Sequence, residues 1–123
     1  MAVTSNRARG RRARWLAQSL ALVAIFSLGA VGAHADDKIT VSITIKDHLF
    51  DPAELHAPPG QPIAIHVKNL NSIVSEFESD ALHFEKIVPA GSEAVVYVRP
   101  QQPGRYNFYD DFHRDTQGFL VVP

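Results

Sequence analysis

Residues 39–46, Ile-Thr-Val-Ser-Ile-Thr-Ile-Lys, place an aliphatic side chain at Ile39, Val41, Ile43 and Ile45 and a polar one at every position between. Successive side chains of an extended chain point to opposite sides, so a period of two marks a strand with one buried and one wet face. The same alternation returns at Ile63, Ile65 and Val67, which lead to Asn69, and at Val96 and Val98 around Tyr97. Leu82 to Val88 reads as a further strand, Tyr106 and Phe108 as another, and Phe119 to Val122 as the last. The segments Phe50-Asp51-Pro52, Pro58-Pro59-Gly60, Pro89-Ala90-Gly91 and Pro103-Gly104 punctuate these runs and prevent a long helix. From Leu70 to Ala81 the periodicity fails, which predicts a loop or one short helical turn, and Asp110 to Gln117 reads as a polar loop. Six or seven short strands with regular turn signals predict an all-β fold, a Greek-key β-sandwich. A small closed barrel carries nearly the same pattern.

Upstream of this pattern the composition changes. Arg7, Arg9, Arg11, Arg12 and Arg14 form a basic opening, an apolar run follows from Trp15 to Ala33, and Ala33-His34-Ala35 supplies the small-x-small pattern of a cleavage site. Residues 1–35 therefore read as a signal peptide cleaved after Ala35, with export to the periplasm by the general secretory or the twin-arginine route. Residues 36–123 form the one expected domain. They carry seven Lys and Arg against thirteen Asp and Glu, a net charge of −6. That balance argues against nucleic acid as a partner, since such proteins need a basic face, and favours cations. The chain has no cysteine, which excludes disulfides, zinc–thiolate sites and cysteine nucleophiles. No serine or threonine has an evident histidine and acid partner, so the sequence does not point to hydrolysis.

Two polar regions suit a cation. One holds Glu76, Glu78 and Asp80, followed by His83 and Glu85, and the other holds Asp110, Asp111, His113 and Asp115. Carboxylate and imidazole together favour copper(II), iron or zinc and disfavour copper(I), which prefers thiolate or thioether; the one methionine is Met1.

The ending GRYNFYDDFH (104–113) with QGFLVV (117–122), and the earlier HLFDPAELHAPPGQPIAIHVKN (48–69), resemble the cupredoxins. On that resemblance Asp110 stands where the family has its cysteine ligand, His113 at the histidine and Thr116 nearest the axial methionine. The loop after Asn69 offers Glu76 for the first ligand. EFESDALHFEKIVPAG (76–91) adds a likeness to the small periplasmic cupredoxin-like proteins of bacterial iron-permease systems and to Efe-type cupredoxin domains. The likeness implies a copper or iron ion as cofactor, bound in the periplasm, with or without oxidation of iron(II) before transport. Its implied partners are an inner-membrane iron permease and other periplasmic uptake components. Glu76, Asp110 and His113 would be the direct ligands, with Glu78, His83, Glu85 and Asp111 as further candidates. A copper(II) carrier and a metal-free interaction domain of a transport complex are the alternatives.

Overall fold

The structure is a computed structural model and describes residues 37–123. The expected signal peptide and its cleavage site lie outside the described residues. The described chain contains β1 (Ile39–Lys46), β2 (Leu49–Asp51), β3 (Glu54–His56), β4 (Ile63–Asn69), β5 (Ser75–Ser79), β6 (Phe84–Val88), β7 (Glu93–Val98), β8 (Gly104–Asp110) and β9 (His113–Val122). They form two sheets, ordered β2-β1-β4-β7 and β3-β9-β8-β5-β6, so the fold is a sandwich and not a closed barrel. Strands β1 and β4 pair in parallel, as do β3 and β9, and the other pairs are antiparallel.

The alternation of β1 and β4 does what it predicts. Ile43, Ile45, Ile63, Ile65 and Val67 all face the space between the sheets, joined from β7 by Val96 and Val98. The second sheet answers with Leu55, Phe77, Val88, Phe108, Leu120 and Val122. Phe50, Phe77 and Phe108 meet at ring separations of 5.1 to 5.6 Å in edge-to-face contacts, and Phe84 tilts against Phe77 at 4.8 Å. Edge-to-face geometry sets the positive ring edge on a negative face, worth about 0.5–1.5 kcal/mol per pair beyond area burial.

Three local expectations change. Residues 75–79, expected as loop or helical turn, form β5, an interior strand of the second sheet between β8 and β6. Its inward set is Ser75, Phe77 and Ser79, only one of them apolar, so polar–polar alternation hid the strand. The polar loop expected over 110–117 is a two-residue turn, Asp111-Phe112, followed at once by β9. Here the inward residue at the start of β9 is Thr116, again polar and again buried. His83, expected on a strand, sits instead in the β5–β6 turn with φ of +59°.

The first two changes rest on buried polar groups, of which Ser79 and Thr116 find partners. Ser79 Oγ donates to the Asn107 carbonyl at 2.6 Å and accepts from the Leu82 amide at 3.0 Å. Thr116 Oγ1 donates to the His48 carbonyl at 2.5 Å, tying β9 to the β1–β2 turn of the other sheet. Asn69, fully buried at the end of β4, donates Nδ2 to the carbonyls of Ile73 and Val88 and accepts from the Asn71 amide. Those three bonds shape the 70–74 loop and hold it against the end of β6.

Candidate metal centre

Strand β5 lies between β6 and β8, and its facing decides the site. Phe77 points into the core, so Glu76 and Glu78 point to the outer face of the sheet. Directly paired residues share a face. Glu78 therefore has Glu85 of β6 on one side and Tyr109 of β8 on the other, while Phe77 has Asp110 on the inner side. The ladder between β8 and β9 is bulged at Tyr109/Asp110, and the turn that follows brings Asp111 back to the outer face. The Asp111 amide donates to the Glu76 carbonyl at 2.9 Å, which anchors the turn beside β5.

Glu76, Glu78 and Asp111 consequently offer one carboxylate oxygen each within 4.8 Å of one another. Glu85 closes the cluster from the β6 side. Packing this much negative charge together is costly, and it favours the protonated form of Glu76. A hydrogen bond with Glu85, then burial, then the charges of Glu85, Asp111 and Glu78 raise its carboxyl from the ordinary 4.5 to about 7. The hydroxyl of Tyr109 donates to Asp80 at 3.0 Å, and burial, that bond and the charges of Asp80 and Glu78 push it up to about 12. Among the described residues, Arg114 is the cation set against the cluster. Its guanidinium pairs with Asp111, lies 5.0 Å from the centre of the Tyr109 ring, and is pushed above its usual value first by Asp111.

The seven residues singled out in the sequence thus divide. Glu76, Glu78 and Asp111 converge, with Glu85 adjacent. His83 stands apart at the hairpin turn, on the rim of a shallow recess of about 280 Å³ shared with Glu78, Asp80 and Glu85. Asp110 and His113 belong to the other side of the sheet, so the expected grouping of Glu76 with Asp110 and His113 does not form. Asp110 is fully buried, and its Oδ1 accepts from the amides of Glu76 and Phe112, both at 3.1 Å. Its Oδ2 lies 3.4 Å from Nδ1 of His113. The His113 ring packs in turn against the ring of His48, with centroids 4.5 Å apart.

His48 was not singled out in the sequence. It occupies the two-residue turn between β1 and β2, where Asp47 and His48 have φ of +50° and +58°. Two positive φ values are what a tight hairpin between twisted strands requires. The available signal was the chain reversal after Lys46, which returns His48 towards the end of the sandwich where β8 and β9 meet.

Comparison with known proteins follows the fold. Residues 18–122 match the cupredoxin-like domain family. The chain is 41% identical over 88 residues to the uncharacterized protein RP394 of Rickettsia prowazekii (strain Madrid E), covering 71% of this chain and 70% of that one. Among solved structures it resembles the metal binding domain of the Cu(I)-exporting P-type ATPase CopA of Streptococcus pneumoniae D39, solved with Cu(I). The TM-score is 0.63 at 16% identity, over 72% of this chain and 97% of that one. A purple cupredoxin from Nitrosopumilus maritimus matches with a TM-score of 0.53 at 18% identity, over 68% of this chain and 99% of its own.

Proposed function

Because the chain belongs to the cupredoxin-like domain family, we propose that it uses the sandwich to hold a metal ion, and that the ion is iron, bound by Glu76, Glu78 and Asp111. In this reading the protein is exported to the periplasm and serves a ferrous-iron permease. The observation that carries the binding is the convergence of three carboxylates, those of Glu76, Glu78 and Asp111, with one oxygen of each within 4.8 Å of the others. Hard oxygen donors suit iron and stabilise iron(III) over iron(II). Export rests on the basic-then-apolar opening of the chain, and the uptake role on the likeness of 76–91 to iron-permease accessory proteins.

A blue copper centre does not fit these residues. It needs a thiolate between two imidazoles, and the chain has no cysteine. The position that the family gives to that cysteine holds Asp110, whose Oδ1 is bonded to two main-chain amides.

The chain's own groups define the binding step. Glu76 must give up its proton, and Arg114 must yield its hold on Asp111 as the ion arrives. Arg114 has room to do so, because its side chain is 68% exposed.

The test is anaerobic calorimetry of the purified protein with iron(II), beside a Glu76→Gln, Glu78→Gln, Asp111→Asn variant. Stoichiometric binding that the variant loses supports the reading, and admitting oxygen then shows whether iron oxidation is accelerated. Binding that survives in the variant overturns it. Absence of binding by the native protein puts a metal-free interaction domain first.

A further inference from the structure

The edge strands of the two sheets, β6 and β7, come together along one side of the sandwich. At that seam Leu82 and His83 of the β5–β6 turn, Tyr97 near the end of β7, and Arg99 and Gln101 just beyond it enclose a cavity of about 190 Å³. We propose that Arg99, His83 and Tyr97 form a binding recess for a small oxyanion, a phosphate or a carboxylate. None of the three belongs to the carboxylate cluster or to the Asp110–His113 pair, so the recess stands whatever ion the cluster takes.

Its donors are ones that the rest of the domain leaves over. Among the described residues Arg105 and Arg114 pair with Glu54 and Asp111, whereas Arg99, the third arginine there, is in no ion pair even though residues 36–123 carry a net charge of −6. The Tyr97 hydroxyl and the His83 ring are likewise without a hydrogen-bond partner among the described residues, although both line the cavity. Lys38 sets a further positive charge 4.4 Å from the centre of the Tyr97 ring. A guanidinium offers a planar fork of N–H donors that meets two oxygens of a carboxylate or phosphate at once, and a hydroxyl and an imidazole each add a single donor. A cation would find three donors and no carboxylate on these walls.

Both walls are held in place. Leu82 is buried in the core and its amide donates to Ser79 Oγ at 3.0 Å, which sets the turn that presents His83 at a φ of +59°. On the other wall the Gly60 amide donates to the Gln101 carbonyl at 3.0 Å, and Gln101 Nε2 donates to the Arg99 carbonyl at 2.8 Å. Gln101 therefore shapes the segment that carries Arg99 and has no amide proton to spare for the ligand on that bond. A water occupies roughly 30 Å³, so the cavity admits a phosphate or a small carboxylic acid with some of its hydration and excludes a chain of sugars or nucleotides. The acidic recess of Glu78, Asp80 and Glu85 shares only His83 with this one, so the two signs of charge are gathered on separate walls.

The test titrates the purified, metal-stripped protein at constant ionic strength with inorganic phosphate and, in a second series, with citrate. Backbone amides and the Arg99 Nε are followed by ¹⁵N NMR. The variants are Arg99→Gln, Tyr97→Phe and, as a charge-matched control at an exposed position elsewhere, Lys46→Gln. The native protein should saturate with at least one of the two anions at a Kd of about 1 mM or below, with shifts concentrated at Leu82, His83, Arg99 and Gln101. Arg99→Gln should weaken that binding at least about tenfold and Tyr97→Phe about two- to tenfold, the ranges expected for losing a charged and a neutral donor. Lys46→Gln should change it by no more than about twofold, as a screened distant charge does. Saturation by phosphate alone supports a phosphoryl ligand, and saturation by citrate alone supports a carboxylate. No saturation by either anion, shifts centred on other residues, or an Arg99→Gln effect no larger than that of Lys46→Gln would overturn the proposal. Arg99 is exposed, so its variant keeps the fold, and an otherwise unchanged amide spectrum checks this.

Discussion

Replacing Asp110 with alanine tests its part in fastening the β8–β9 turn to β5. The carboxylate is fully buried and accepts from the amides of Glu76 and Phe112, one on β5 and one in the β8–β9 turn. Alanine leaves both donors without that partner, the Glu76 amide in a buried place and the Phe112 amide in a partly buried one. An orphaned buried donor costs about 1–3 kcal/mol, so two amount to roughly 3–4 kcal/mol after partial relaxation. For a domain of this size each kcal/mol moves the melting temperature by about 4–8 °C, which predicts a fall of roughly 12–32 °C. Asparagine keeps an acceptor oxygen at the same place and should recover more than half of the loss. The assay is thermal unfolding by circular dichroism in the presence of a chelator, so that metal binding does not contribute. A melting temperature for Asp110→Ala within about 3 °C of native, or an Asn variant as damaged as the Ala variant, would refute the claim that these two bonds fasten the turn.

Other outcomes follow from the same coordinates. A Cβ at Gly118 would stand 2.3 Å from the Phe108 ring and 2.6 Å from the Ala53 carbonyl, which is itself bonded to the Phe119 amide. Gly118→Ala should cost about 1–3 kcal/mol or more in urea unfolding, because a backbone atom cannot step aside. Glu76 holds its proton to about pH 7 in the fold and to its ordinary 4.5 when unfolded, so the folded state binds more protons between those values. Stability should therefore fall as pH rises from about 4.5 to 7 and level off on either side, as read by unfolding across that range. Glu85→Ala removes the hydrogen bond that is the largest cause of the shift, and its charge, and should bring the Glu76 midpoint, followed by ¹³C NMR, back towards 4.5. Arg114→Gln removes the internal counterion of Asp111 and should tighten iron(II) binding several-fold by calorimetry, with unchanged or weaker binding contradicting the competition described above.

The sandwich was legible in the chain wherever a strand buries aliphatic side chains at every second position, as Ile43 and Ile45 do in β1 and Ile63, Ile65 and Val67 in β4. It was illegible where the buried face is polar. Ser79 and Thr116 occupy core-facing positions because particular carbonyls and amides meet them from a neighbouring strand, a turn or the other sheet. Such partners have no counterpart in local sequence, so β5 and the start of β9 read as loops. The candidate ligands were visible as residue types, since an oxygen-rich, cysteine-free set stands out in any order. Their grouping was not.

What the sequence alone determined is the class of fold and the class of donor. Alternation and turn chemistry are local properties, and they specify strands and reversals before any strand finds its neighbour. Which donors meet was decided only by the tertiary structure. Asp110 and Asp111 are adjacent and chemically identical, yet one is buried beneath the sheet against His113 and the other joins Glu76 and Glu78 on its outer face. The bulge at Tyr109/Asp110 and the two-residue turn that follows send them to opposite sides. Likewise His48 and His113 stand 65 positions apart in the chain and touch because a tight turn in one sheet packs over the first residue of the last strand of the other. Facing and register across strands are set by long-range pairing, and no window of sequence contains them.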